Sequence, residues 1–125
     1  MELSCFETDE WFVLTVDGEI ERFSCTPLAD CIEVALHESR RDVLVDLQGT
    51  TFIDAGGLGV LVPASHELRR QGRTMALLCR DGLVDLVLHA GGLSDLIRDP
   101  EVLHEAAPIT AGLRVDPPMR EVADR

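Results

Sequence analysis

The sequence predicts an α/β domain, a mixed, mostly parallel β-sheet with helices packed on it. Short apolar runs rich in β-branched residues, such as Val43–Leu47 and Thr74–Cys79, alternate with longer stretches of helical apolar spacing. Turn and cap residues fall between them: Asp17-Gly18, Asp54, Gly72 and Gly91-Gly92. The chain has 125 residues, 46% of them hydrophobic, which suits one domain around one core.

Trp11–Val16 reads as a strand, and Asp17-Gly18 as a turn after it. Residues 3–7 pair with that strand as an edge. Gly18-Glu19-Ile20-Glu21 leads to Thr26-Pro27, a candidate N-cap followed by a proline at the first helical position. Leu28, Ile32, Ala35 and Leu36 then give a first amphipathic helix to about Ser39. Arg40-Arg41-Asp42 breaks it. Val43–Leu47 is brief and nearly all apolar, as expected of a central strand.

Asp54 caps a second helix with an expected inner face of Leu58, Leu61, Val62, Ser65 and Leu68. Pro63 inside that pattern implies a kink or a later start, and Gly72 a stop. Thr74–Cys79 is a further buried strand. Leu83, Leu86, Val87 and Ala90 are the expected inner face of a third helix, ended by Gly91-Gly92. Leu93–Ile97 is a short edge element, and a brief helix to about Ala107 follows Pro100. The domain is expected to span residues 1–107. Pro108, Gly112 and Pro117-Pro118 make 108–125 read as a flexible tail.

Composition excludes several function classes. The net charge of −12 opposes binding to nucleic acid or an anionic membrane and suits a basic protein partner. No apolar run approaches the ~20 residues of a membrane span. The start, MELSCFETDEW, has neither a basic nor an apolar leader region, so a cytoplasmic protein is expected. Cys5, Cys25, Cys31 and Cys79 form no CxxC pair, and His37, His66, His89 and His104 show no HxxxH spacing. Neither a metal nor a cofactor is expected. Gly56-Gly57-Leu58-Gly59 lacks the lysine of a P-loop and the GxGxxG spacing. No serine stands in a nucleophile elbow, so no catalytic residue is assigned. Asp46, ending an apolar strand, needs hydrogen-bond partners if buried. Arg69, Arg70 and Arg73 read as a solvated helix end.

Val45-Asp46-Leu47, Phe52-Ile53-Asp54 and Gly57-Leu58-Gly59 resemble the STAS domain, and within it the anti-sigma factor antagonists. Gly18-Glu19-Ile20 and Leu88-His89-Ala90-Gly91-Gly92-Leu93 support the likeness, which covers about residues 8–105. The resemblance implies a STAS fold and a non-enzymatic regulator of transcription. Its partner would be an anti-sigma factor that is also a serine kinase. In that family the aspartate precedes two serines, the second of which is phosphorylated to release the kinase. Here Ala55 and Gly56 stand in their places, and Glu21 replaces an aspartate of the early loop. Glycine carries no hydroxyl, so Gly56 is the acceptor-equivalent position of a non-phosphorylatable variant.

A phosphate at a helix start would meet unpaired amides and would put about −2 of charge into an interface. Thr50, Thr51 and Ser65 are the alternative acceptors. The expected interface comprises Glu19, Glu21, Asp54, Ala55, Gly56, Gly57, Leu58 and Val60. Within it, Val60 is the outward apolar candidate. The alternative function is a STAS structural or adaptor module in a larger assembly, stressosome-like or transport-related, with self-association into a homo-oligomer.

Overall fold

A computed structural model describes residues 1–100. The expected helix after Pro100, the tail, His104 and the 107/108 boundary lie outside the described residues. The elements are β1 (Glu2–Glu7), β2 (Trp11–Ile20), α1 (Thr26–Glu38), β3 (Asp42–Ile53), α2 (Ala55–Arg70), β4 (Met75–Leu78) and α3 (Leu83–Ala90). A 3₁₀ turn, Ser94–Leu96, follows. The sheet order is β1-β2-β3-β4. β1 is antiparallel to β2, and the other neighbours are parallel, so the sheet is mixed and mostly parallel as expected.

The β1–β2 connection lies at Thr8–Glu10, where the Thr8 hydroxyl accepts from the amides of Glu10 (3.2 Å) and Trp11 (2.9 Å). Asp17-Gly18 is therefore no turn. β2 continues through it to Ile20 with register shifts against β3, and Gly18 takes φ +98°. Pairing with this longer β2 also carries β3 beyond Leu47 to Ile53, although Gly49-Thr50-Thr51 reads locally as a loop. Gly49 lacks a Cβ where the Asp17 carboxylate lies, which permits the close approach.

Alternation divides the strand side chains between two faces. Cys5, Phe12, Leu14, Val16, Val43, Val45, Leu47, Met75 and Leu77 join the core formed with the helices. Val13, Leu44, Ala76 and Leu78 lie on the other face, with Phe6 and Trp11 packed against them. Buried Asp46 accepts from the Gln48 backbone amide (3.0 Å) and side-chain amide (3.1 Å), the partners a buried carboxylate requires.

Thr26 is the first residue of α1, and its cap is Cys25, whose carbonyl accepts from Ala29 at 3.0 Å. No side chain caps this helix. Leu28, Cys31, Ile32 and Ala35 are its buried stripe, and Leu36 is half-buried. α2 neither starts late nor stops at Pro63. The carbonyl a non-proline residue would engage belongs to exposed Gly59, so water can take the missing donor's place. The buried face of α2 is Gly57, Leu61, Ala64, Ser65 and Leu68, with Leu58 and Val62 only half-buried.

α2 ends in a Schellman turn: Arg73 N–H donates to the Leu68 carbonyl (2.8 Å) and Gly72 N–H to Arg69 (2.9 Å), with Gly72 at φ +76°. α3 faces the core differently from expectation: Val87 packs on the core as expected, but Leu83, Leu86 and Ala90 do not lie on the buried face. Val84 and Leu88 are buried, whereas Leu83 and Leu86 are 52% and 64% exposed. Two apolar stripes share this short helix, and periodicity alone does not choose between them. After the 3₁₀ turn, Ile97 bridges Leu77 in parallel, extending the edge beside β4.

Arg73 is not part of a solvated helix end. Its guanidinium donates to the carbonyls of Arg41 (2.8 Å), Leu36 (3.3 Å) and Ala35 (2.9 Å), closing the otherwise uncapped end of α1. Arg73→Ala is expected to lower stability by about 1–3 kcal/mol, read as a lower denaturant midpoint at unchanged slope. Arg73→Lys should recover only part of this, because an ammonium cannot reproduce the planar fork.

Candidate partner-binding site

The site forms where β2 and β3 end together, with Ile20 opposite Ile53. Asp54 N–H donates to the Ile20 carbonyl at 3.2 Å, and the chain then turns into α2. Asp54 is the N-cap expected from sequence. Its Oδ1 accepts from the amides of Gly56 (2.9 Å) and Gly57 (3.1 Å). Its Oδ2 accepts from the Arg22 amide at 3.1 Å, which ties the β2–α1 loop to the start of α2. These amides, led by that of Arg22, hold the Asp54 carboxyl below the usual carboxylate range. Because Asp54 already occupies them, this helix start is not a vacant phosphate cradle.

The loop then passes directly over Gly56. A Cβ on Gly56 would lie 2.5 Å from the Arg22 Cα and 2.7 Å from its Cβ. Cys25 Sγ donates to the Arg22 carbonyl at 3.5 Å and reaches the Gly56 carbonyl at 4.0 Å. Ser24 N–H closes a turn onto the Glu21 carbonyl at 2.9 Å. The Arg22 guanidinium stands over the Phe23 ring, 5.5 Å from its centroid, and Phe23 is 90% exposed. Glu19 is exposed and Glu21 half-buried. The Glu21 carboxyl is raised, first by a hydrogen bond shared with Glu19, then by desolvation and by the charges of Glu19 and Asp54.

Thus Glu19, Glu21, Asp54, Ala55 and Gly56 gather at one end of the sheet, with Ala55 exposed. Gly57 is buried, where an added Cβ would press on Ile53 and Ile20. Leu58 is turned toward Gly91 at the end of α3. Val60 lines the groove between α1 and α2 with Ala29, Ile32 and Pro63, and also packs on the core. Arg22, Phe23 and Cys25 complete the cluster, and sequence reasoning did not assign them to it. The one signal available was an aromatic residue in the otherwise polar stretch Glu21–Ser24.

Of the alternative acceptors, Thr50 and Ser65 are buried and donate to the carbonyls of Val16 (2.7 Å) and Val62 (2.8 Å), whereas Thr51 is exposed. Among the described residues, no group of three His, Cys, Asp or Glu is placed to hold a metal ion. No described helix is long and apolar enough to cross a membrane.

The Gly56 contact and the Asp54 cap each have a measurable consequence. Replacing Gly56 by serine or alanine should raise helix propensity by up to ~1 kcal/mol, yet the overlap with the Arg22 backbone should outweigh that gain. Thermal melts are expected to show both variants less stable, net by about 1–2 kcal/mol. The second concerns acid. A carboxyl lowered by folding stabilises above its unfolded value, 3.8 here, and that contribution is lost as pH falls through the lower folded value. Asp54→Asn keeps an oxygen for Gly56 and Gly57 but loses the acceptor for Arg22. Denaturant melts should show the native chain's advantage over this variant at about pH 7 and its decline toward about pH 3.

Residues 4–106 match the model of the STAS domain. An anti-sigma-B factor antagonist of Staphylococcus aureus is 22% identical over 89 residues, 71% of this chain and 82% of that protein. An anti-sigma factor antagonist from Mycobacterium paratuberculosis superposes with a TM-score of 0.72 at 18% identity, over 84% of this chain and 92% of that one. The unphosphorylated anti-sigma factor antagonist SpoIIAA gives 0.71 at 18% identity, over 83% and 95%. At such identities the superpositions establish the fold, and the family match over most of the chain establishes membership. The chain belongs to the STAS domain family.

Proposed function

We propose that this chain is an anti-sigma factor antagonist, binding a kinase-type anti-sigma factor through the end of the sheet where Glu19, Glu21, Asp54 and Ala55 gather. It stays competent to bind because residue 56 has no hydroxyl. The observation that carries this reading is the contact at Gly56. Residue 56, which the resemblance matches to the family's acceptor serine, is at the start of α2, and the Arg22 backbone occupies the space a side chain there would need. The curated relatives named as antagonists support the partner class. The charge of −12 supports a partner with a basic face.

The test uses the purified chain with purified kinase-type anti-sigma factors from the same organism. One of them should form a complex in calorimetry, and incubation with that protein and ATP should leave the intact mass unchanged. Failure of every candidate to bind rejects the antagonist reading. A gain of one phosphate, on Thr51 for example, rejects constitutive competence. Ala55→Arg places a long cation on the docking face. It should weaken the complex roughly tenfold or more while the fold survives, since a cation at a helix start costs about 1 kcal/mol or less.

A further inference from the structure

We infer that Phe23 is the anchor by which this chain seats itself in its partner, and that the partner offers an apolar pocket bordered by lysine or arginine side chains. This rests on the antagonist reading and names the chemistry of its interface. Among the described large hydrophobic residues Phe23 is the most exposed, at 90%, against 64% for Leu86 and 52% for Leu83. Apart from its contact with the Arg22 guanidinium the ring is open to water, and aromatic residues that are seated in a partner's pocket dominate many protein interfaces.

The chain holds this ring ready. Its loop is pinned by Arg22 N–H on Asp54 (3.1 Å) and by the Ser24-to-Glu21 turn (2.9 Å). It lies against the bare backbone of Gly56. A side chain carried on a fixed turn loses less freedom on binding than one on a loose loop. Arg22 covers one side of the ring and leaves the remainder open.

Charge defines the rim of the pocket. Glu19, Glu21 and Asp54 crowd around the foot of the loop, and the Glu21 carboxyl is raised there first by its hydrogen bond with Glu19, then by desolvation and by the repulsion of the Glu19 and Asp54 charges. Nearby cations on a partner would relieve that repulsion and favour the fully ionised cluster. Arg22 is the one cation the loop itself contributes, and it is engaged with the Phe23 ring.

The experiment measures the affinity of the anti-sigma factor that binds in the calorimetric test for the native chain, Phe23→Ala, Phe23→Trp, and the pair Glu19→Gln with Glu21→Gln. Phe23→Ala should weaken binding by roughly 30-fold or more, with an unchanged melting temperature because the side chain touches little of the fold. Phe23→Trp should retain most of the affinity. The double glutamine variant should bind more slowly, and its rate should depend less on salt between about 50 and about 500 mM. If the native chain binds and Phe23→Ala binds within about threefold, the anchor is overturned while the antagonist reading stands. If the native chain binds no anti-sigma factor, the antagonist reading falls and takes the anchor with it. A dimer of the native chain alone that Phe23→Ala dissolves would also overturn it, by assigning the ring to a second copy.

Discussion

One carboxylate organises the end of the molecule on which function is proposed. Asp54 caps α2 through Gly56 and Gly57, and it binds the Arg22 amide from a loop thirty-two residues earlier in the chain. Its own amide is fixed on Ile20. One residue therefore sets three things: where β3 ends, where α2 begins, and how closely the β2–α1 loop approaches. The two glycines after it are part of the same arrangement. Gly57 lets the helix settle onto Ile53 and Ile20, and Gly56 lets the loop settle onto the helix. A side chain at either position would push apart what Asp54 draws together.

Features encoded within one segment were legible in the sequence, and features made between segments were not. The Asp54 cap, the Gly72 stop and the alternation of strands and helices could be read because each depends on neighbours a few residues away. The length of β3 could not, because Gly49 and Thr50 are strand residues only by virtue of pairing with Asp17 and Gly18 of β2. The facing of α3 failed for a related reason: Leu83 and Leu86 are as apolar as Val84 and Leu88, and only packing decides which pair is buried. Arg73 shows the limit most clearly. Beside Arg69 and Arg70 it looks like solvated charge, yet it serves the carbonyl ends of a helix more than thirty residues away.

The candidate site divides along the same line. Glu19, Glu21, Asp54, Ala55 and Gly56 were assigned from resemblance and do meet in space. Phe23 and Arg22 were not assigned, since nothing in their local sequence reveals that the loop is fastened to α2. Gly57 and Val60 carry packing roles that a sequence position beside a site does not disclose.

The contact at Gly56 also bears on the proposed absence of a phosphorylation switch. Were the position open, a serine side chain could be added at the start of α2 with no change elsewhere. Here the position is closed: the space where a side chain would stand belongs to the Arg22 backbone. For a side chain to stand there, the loop would have to shift away from α2, at the expense of the Arg22–Asp54 bond. Glycine at 56 and the exposed ring at 23 are thus two ends of one packing solution. The close approach that excludes an acceptor side chain also holds the most exposed aromatic residue of the described chain in a fixed place.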